Sequence, residues 1–114
     1  EEEEEEEAIT TLKEVKSKLN YLIIKSGFEF KNKLVLGSQG RDVFYLQTLL
    51  AEFFGVYPEA QMTGYFGPLT EKALQRFQKK YGITGNGSPS STGYGVLGPK
   101  TRAKINELIH LPKF

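Results

Sequence analysis

Cysteine and tryptophan are absent from this 114-residue sequence, and histidine and aspartate each occur once. Without cysteine, the chain cannot form a disulfide, a thiol nucleophile or a Cys-ligated zinc site. A Ser-His-Asp triad would need both His110 and Asp42, yet Asp42 has a simpler role near the start of a predicted helix. One histidine also falls short of the three or four ligands that zinc takes. The sequence therefore predicts no enzyme and no metal or cofactor site.

Long hydrophobic runs are missing as well. No segment approaches the roughly 18 apolar residues of a membrane-spanning helix. The longest apolar run near the N-terminus, Leu22-Ile23-Ile24, is too short for a signal peptide. We therefore expect no membrane span. A mature fragment of an exported protein would look the same, so these features leave the location open.

Charge is distributed unevenly along the chain. Glu1–Glu7 supply seven of the 14 acidic residues, so the other 107 residues carry 15 basic and seven acidic side chains, a net charge of +8. A basic body favours anionic partners such as wall polymers, membranes or nucleic acid, although a lysine-rich soluble surface explains it equally well. No recognised nucleic-acid-binding motif accompanies it, so no nucleic-acid partner is predicted.

The N-terminal zone, residues 1–25, combines the Glu run with an amphipathic helix from Ala8 to Lys25, which lacks Gly and Pro. Glutamates complement a helix dipole only over its first turn, and blocks of like charge are usually disordered, so we assign the run no function. Apolar residues spaced four and three apart form a seam: Ala8, Leu12, Val15, Leu19 and Leu22. The seam could pack on the chain's own domain or on a partner helix.

Residues 26–33 are predicted to form a linker that docks onto the next zone through Phe28 and Phe30, which share a face if the segment is extended. The zone that follows, residues 34–111, contains a repeat offset by 31 residues, Gly64–Leu74 and Gly95–Ile105. A tail, 112–114, completes the chain.

Each repeat has a short apolar piece, then Gly-Pro-x-Thr, then a helical pattern. Proline suits the first helical position because its φ is preset and its missing N–H would be unpaired there anyway. The glycine before it allows the chain to turn, and the threonine is expected to hydrogen-bond back towards the helix start. The repeat therefore predicts two helices that each begin at a proline.

Three helices are predicted in this zone, with strand content limited to the pieces around Tyr65-Phe66 and Val96-Leu97. The first runs from Asp42 to about Phe54, the second from Pro68 to near Gly82, and the third from Pro99 to before Pro112. Their core-facing residues are predicted from helical periodicity: Val43, Leu46, Leu49, Leu50 and Phe53; Leu69, Ala73, Leu74, Phe77 and Tyr81; Ala103, Ile105, Leu108 and Ile109. The fold class is mainly α, a compact three-helix bundle with an additional N-terminal helix.

Three ordered motifs in this zone resemble the peptidoglycan-binding domain family of bacterial wall hydrolases and surface proteins. They are Leu36–Leu50, Gly64–Gln78 and Gly95–Thr101, and the resemblance covers about 75 of the 114 residues. The sequence departs from the family pattern at Thr63, where an acidic residue is common, and in the longer loop Thr84–Tyr94. A similar fold serves as a metalloprotease propeptide that depends on cysteine, and the lack of cysteine excludes that role.

The sequence gives less support to two other functions, glycoside hydrolysis and nucleotide binding. Glu52 and Glu59 could be considered as a glycosidase pair, but exposed surface glutamates are the simpler explanation. The segment Gly93–Thr101 superficially resembles a P-loop, yet Pro99 separates the glycine from the lysine and removes a phosphate-binding N–H.

The resemblance implies a non-catalytic module that binds peptidoglycan in a shallow groove, in the cell wall, extracellular or periplasmic space. Sugar recognition needs an aromatic face and flanking polar groups, and arginine suits the carboxylates of peptide stems. Five residues are therefore predicted to contact the ligand: Tyr65, Arg76, Tyr94, Gln47 and Gln78. Gln47 and Gln78 could instead bond only to backbone at turns. The rival hypothesis is a protein-interaction or assembly module that uses the N-terminal seam.

Overall fold

The chain folds as a mainly helical bundle. The structure is a computed structural model that describes residues 2–111, with side chains from residue 14 onward. Within that range the helices are α1 Glu2–Lys25, α2 Arg41–Thr48, which continues into a π-helical turn Leu49–Phe53, α3 Pro68–Lys80 and α4 Pro99–Ile109. This architecture confirms the predicted mainly α class, a three-helix bundle with an additional N-terminal helix.

The two Gly-Pro motifs start helices as predicted, because Pro68 and Pro99 occupy the first turns of α3 and α4. The predicted strand pieces are reduced, over residues 2–111, to two isolated antiparallel bridges, Gln39–Tyr65 and Leu34–Leu97. These bridges tie the segment before α2 to the residues that precede the two prolines.

Buried apolar side chains from α2, α3 and α4 form one core. The largest fully buried aromatic residues are Phe66 and Phe77. Phe77 packs against two other rings, with centroid distances of 4.8 Å to Phe54 and 4.8 Å to Tyr81. Such edge-on and tilted ring pairs add stabilisation beyond the burial of their area, so this cluster is the centre of the bundle.

The end of the first predicted helix differs from expectation at Phe53. The backbone N–H of Phe54 bonds to Leu49 O at 2.9 Å, one residue wider than an α-helical bond. The extra residue in this π-helical turn rotates the chain, so that Phe54 is buried while Phe53 only packs on the edge of the core. Phe53 therefore packs against the core as predicted but is only partly buried, and the buried ring is Phe54. A regular helical period through residue 53 does not indicate this role for Phe54.

A second difference lies in α4. Ala103, predicted to face inward, is exposed, whereas Thr101 is buried together with Ile105 and Ile109. The hydroxyl of Thr101 is used by a neighbouring glutamine, and this polar contact fixes the rotation of the helix. The hydrophobic pattern of the sequence did not indicate this rotation of the helix.

The segment between α1 and α2 is held to the bundle by Asn106. The side chain of Asn106 accepts from Phe30 N at 2.8 Å and donates to Phe30 O at 3.0 Å. Phe30 itself is buried and lies edge-on to Phe28, with ring centroids 4.8 Å apart. One asparagine therefore satisfies both backbone groups of a buried residue 76 positions away in sequence.

We expect Asn106→Ala to lower the free energy of unfolding by about 1–3 kcal/mol, because it leaves the N–H and C=O of Phe30 unpaired. Hydrogen exchange at the Phe30 amide should accelerate, and urea unfolding gives the free energy. Glu107→Ala, which removes only an exposed pair with Lys104, is the control and should cost less than about 0.5 kcal/mol. Unchanged protection of the Phe30 amide would contradict this account.

Helix α1 packs on the bundle through a face that differs from the predicted seam. Asn20 and Ile23 are buried, whereas Val15 and Leu22 are about half exposed. Leu19, also in the predicted seam, is half-buried. The side chains of the two remaining seam positions, Ala8 and Leu12, lie outside the described residues, as does the tail 112–114. None of the helices over the described range is long and apolar enough to cross a membrane.

Candidate functional site

The turn before α3 is held by one buried glutamine. The side-chain amide of Gln47 donates to Tyr65 O at 2.8 Å and to Thr70 Oγ1 at 3.0 Å, and its oxygen accepts from Gly64 N at 2.9 Å. The side chain of Gln47 is 0% exposed, and its bond to Thr70 is fully buried. Gln47 therefore fixes the backbone on which Tyr65 stands.

The turn before α4 is built in the same way around Gln78. Its amide donates to Val96 O at 3.1 Å and to Thr101 Oγ1 at 3.1 Å, and its oxygen accepts from Gly95 N at 2.8 Å. A further bond, 3.0 Å, joins the amide to Gly93 O. The side chain is 1% exposed.

These two networks are equivalent: apart from the additional bond from Gln78 to Gly93 O, each partner in one has its counterpart 31 residues later in the other. Gln47 corresponds to Gln78, and Thr70 corresponds to Thr101. The predicted bond from the threonine back to the helix start is wrong, since among the described residues the side chain of Thr70 bonds to Gln47 and that of Thr101 bonds to Gln78. Each threonine hydroxyl instead accepts from the glutamine, because the buried amide needs a second partner.

Glycine is required at the same point of both turns. Gly64 has φ +80° and Gly95 has φ +86°, a region that side chains with a Cβ rarely adopt. At Gly95, an added Cβ would also lie 2.8 Å from Glu71 Cγ. The repeat in the sequence is therefore a repeat of one turn structure.

Beside the first turn lies an open pocket of about 250 Å³. Tyr65 lies at its edge with 48% of its surface exposed. Gly67, which has no side chain, lies beside the ring. Tyr57 and Leu69 supply apolar surface, and Gln61 and Thr63 supply polar groups. This is a small concave site with one aromatic face and flanking amide and hydroxyl groups.

A second pocket, about 280 Å³, lies beside the second turn. Its lining includes Thr84, Thr92 and Lys100, so it is more polar and carries a cation. Tyr94 follows this turn's Gly93, is half buried, and has Lys79 Nζ 6.0 Å from its ring centroid. Because the two pockets adjoin opposite ends of α3, they are separated by about 15 Å of helix.

Arg76 lies in neither pocket. Its Nη1 donates to Val56 O at 3.1 Å and lies 3.6 Å from Glu59 Oε1. The arginine thus holds the loop whose Tyr57 lines the first pocket.

The five predicted site residues therefore fall into three places. Tyr65 and Gln47 belong to the first turn, Tyr94 and Gln78 to the second, and Arg76 supports the loop after α2. The two glutamines have the geometry of the alternative interpretation, bonds to backbone at turns. They border the two pockets but are only 0% and 1% exposed. Sequence reasoning missed Tyr57, Gln61 and Leu69 as lining residues, since nothing in the sequence indicates which loop faces Tyr65.

The two residues considered for a catalytic triad have other partners. His110 Nε2 lies 2.9 Å from Phe28 O, whereas Asp42 pairs with Arg41 at 3.2 Å. Over the described side chains, no cluster of three or more His, Asp or Glu residues could hold a metal ion.

Comparison with known proteins agrees with this geometry. A family model described as "Putative peptidoglycan binding domain" matches residues 39–105, more than half of the chain and the range that holds both turns. No solved structure matches the chain.

Two curated relatives are wall enzymes. The zinc D-Ala-D-Ala carboxypeptidase of Streptomyces albus G is 35% identical over 81 residues, which cover 71% of this chain and 29% of that protein. The probable N-acetylmuramoyl-L-alanine amidase of Bacillus licheniformis is 33% identical over 87 residues, covering 72% of this chain and 21% of that protein. The chain thus spans less than a third of each relative's length. With the family model covering both of its repeated turns, the chain belongs to the peptidoglycan-binding domain family.

Proposed function

We propose that this chain is a non-catalytic module that binds peptidoglycan and so brings a parent protein to the bacterial cell wall, outside the cytoplasmic membrane. The observation that carries the proposal is the open pocket beside the exposed ring of Tyr65, within the family's matched range. A module of this kind raises the local concentration of whatever it is joined to.

The chemistry of the first pocket suits an amino sugar. The exposed ring of Tyr65 offers a face for sugar C–H groups, while Thr63 and Gln61 can bond to hydroxyl and acetamido groups. Gln47 holds the backbone carbonyl of Tyr65. Its role in this proposal is to position Tyr65 rather than to contact the ligand, and Gln78 has the same role for the second turn.

The second pocket and Arg76 extend the same proposal. Lys100 and Arg76 are cations that suit the carboxylates of peptide stems, and the net charge of +8 outside the Glu run attracts an anionic wall. Tyr94 contributes a smaller aromatic surface because it is half buried.

We expect Tyr65→Ala to weaken binding to insoluble peptidoglycan about tenfold, because it removes the aromatic face of the pocket. Stability should change by less than about 0.5 kcal/mol, since the ring is half exposed. Co-sedimentation measures the binding, and urea unfolding measures the stability. Tyr94→Ala should have a smaller effect on binding.

Tyr21→Ala is the matched control for that experiment, since Tyr21 is 54% exposed on α1 and lies outside both pockets. Its binding should equal that of the wild type. Equal losses in Tyr65→Ala and Tyr21→Ala would mean that the Tyr65 pocket is not the binding site.

Assembly through α1 is the second candidate function, and the half-exposed Val15 and Leu22 favour it. In this alternative the seam Ala8, Leu12, Val15, Leu19 and Leu22 packs on a helix of another subunit. Light scattering over a range of concentrations tests it. A mass that rises with concentration, and that falls to the monomer in Leu22→Glu, supports assembly; a strict monomer with α1 intact contradicts it.

A further inference from the structure

The loop Thr84–Tyr94 contains an Asn-Gly pair, Asn86-Gly87, and no other asparagine of the chain precedes a glycine. Both residues of the pair are exposed. Asparagine is a chemically labile residue, and glycine after it has no Cβ to keep the next backbone nitrogen away from the side-chain amide. The pair is therefore a place where the loop can change covalently.

The two groups that react in such a change have no competing bonds. Among the described residues, neither the side-chain amide of Asn86 nor the backbone N–H of Gly87 has a hydrogen-bond partner. By contrast, Asn106 bonds to Phe30 through both of its amide atoms, and Asn20 is only 6% exposed. Asn86 thus differs from these asparagines in its surroundings as well as in its neighbour.

The peptide group between Asn86 and Gly87 is polarised by two hydroxyls. Thr92 Oγ1 donates to Asn86 O at 2.6 Å, and Thr84 Oγ1 donates to the same oxygen at 3.2 Å. Donors at a peptide oxygen stabilise the negative charge that develops there when the N–H of that peptide loses its proton. The loop therefore favours the form of Gly87 N that can attack a carbonyl carbon.

The loop also requires glycine at position 87. Gly87 has φ +89°, a conformation that residues with a Cβ rarely adopt, and an added Cβ would lie 2.6 Å from Thr92 Cγ2. Because the loop structure depends on this glycine, the unhindered nitrogen beside Asn86 is part of the fold.

We propose that Asn86 is a self-modification site, at which the side-chain amide is converted to a carboxylate. Gly87 N attacks Asn86 Cγ, so that an N–Cγ bond forms, the Cγ–Nδ2 bond breaks, and ammonia leaves with the former Gly87 proton. Water then adds to either carbonyl of the cyclic imide and breaks its bond to the nitrogen. The products are an aspartate and an isoaspartate linkage, and each new acid releases its proton at neutral pH.

This conversion changes the second pocket. Thr84 and Thr92 line that pocket, and both bond to Asn86 O. In the isoaspartate product the main chain runs through the former side chain, so that this oxygen becomes part of a free carboxylate. In the aspartate product the new carboxylate is on the side chain of the same residue. Either product adds a negative charge to the loop that supplies two of the pocket's hydroxyls.

The test is incubation of the intact chain at neutral and at mildly alkaline pH, followed by peptide mapping with mass spectrometry. We expect the acid to accumulate at Asn86 at least about tenfold faster than at Asn32, which is also exposed but precedes Lys33. The rate should rise with pH, because the nitrogen attacks after losing its proton. The two products have equal mass and are separated by chromatography.

Asn86→Gln is the matched variant, since it keeps an amide but lengthens the side chain by a methylene and so disfavours ring closure. It should remain unmodified at position 86 over the same period. In the wild-type chain, the NMR amide signals of Thr84 and Thr92 should change as the acid accumulates, and in Asn86→Gln they should stay constant with time.

The role of the hydroxyls is tested at Thr92. Thr92→Val keeps the shape of the side chain without its hydroxyl and should slow the conversion at least about threefold, whereas Thr92→Ser should restore the rate. Equal rates in these two variants would overturn the role of the hydroxyl. The proposal as a whole is overturned if Asn86 converts no faster than Asn32, or if the rate does not rise with pH. None of these results depends on whether the chain binds peptidoglycan.

Discussion

Gln78→Met is expected to lower the free energy of unfolding by about 2–4 kcal/mol. Methionine fills a similar volume but forms none of the hydrogen bonds of Gln78. The Gln78 amide donates to two backbone carbonyls and to the Thr101 hydroxyl, and its oxygen accepts from Gly95 N. A buried group left unpaired costs about 1–3 kcal/mol, and part of this cost is relieved by local movement of the turn.

Gln47→Met should cost a similar amount, because Gln47 makes the equivalent bonds to the first turn. Urea unfolding of both variants gives the two values. Gln39→Met is the control, since the Gln39 side chain is exposed, and it should change stability by less than about 0.5 kcal/mol. A cost below about 1 kcal/mol for both buried glutamines would mean that the two networks do not hold the turns.

Phe77→Ala should destabilise the chain by about 3–5 kcal/mol, the largest loss expected from a single core truncation. Phe77 is fully buried and packs against both Phe54 and Tyr81, so its removal leaves a cavity between α3 and the π-helical turn. Thermal and urea unfolding measure the loss. Leu36→Ala, at a half-exposed position, should cost less than about 1 kcal/mol.

A loss below about 2 kcal/mol for Phe77→Ala would contradict the position of this ring at the centre of the core. Phe77→Leu separates the contribution of ring packing from that of buried apolar surface, because leucine keeps most of the apolar contact. We expect it to cost about half as much as Phe77→Ala.

The helix starts could be predicted from sequence because they depend on local chemistry. Pro68 and Pro99 set the backbone at the first turn of each helix, whatever packs around it. The 31-residue offset also extends to Gln47 and Gln78, and that correspondence alone predicts matching roles for the two side chains. Their hydrogen bonds bear out the repeat at the level of single atoms.

Features that depend on distant packing could not be predicted in the same way. The π-helical turn brings Phe54 against Phe77 of α3 and against Tyr81 just after that helix, and the local sequence does not reveal these contacts. Ala103 is too small for its hydrophobicity to fix the rotation of α4, and the buried bond of Thr101 fixes it instead.

In the candidate site too, the local sequence indicated some features, whereas others depend on how distant segments pack. Neighbouring glycines indicated that Tyr65 and Tyr94 lie in turn-like segments. Tyr94 lies in a turn, whereas Tyr65 follows the bend at Gly64 and forms the isolated bridge to Gln39. Their separation by α3 follows from the three-dimensional arrangement of the repeat, so no sequence pattern could show that they occupy different pockets. Arg76 was assigned by its chemistry alone, and its contacts with Val56 and Glu59 depend on how the loop after α2 folds back.

Co-sedimentation of the wild-type chain with insoluble peptidoglycan, at low and at moderate salt, tests the central claim most directly. The account predicts that most of the bound fraction remains at moderate salt, because contacts in a concave pocket are screened far less than the attraction between exposed charges. Binding that disappears when salt is added would show that the basic surface alone was responsible. An absence of binding at either salt would contradict the wall-binding function.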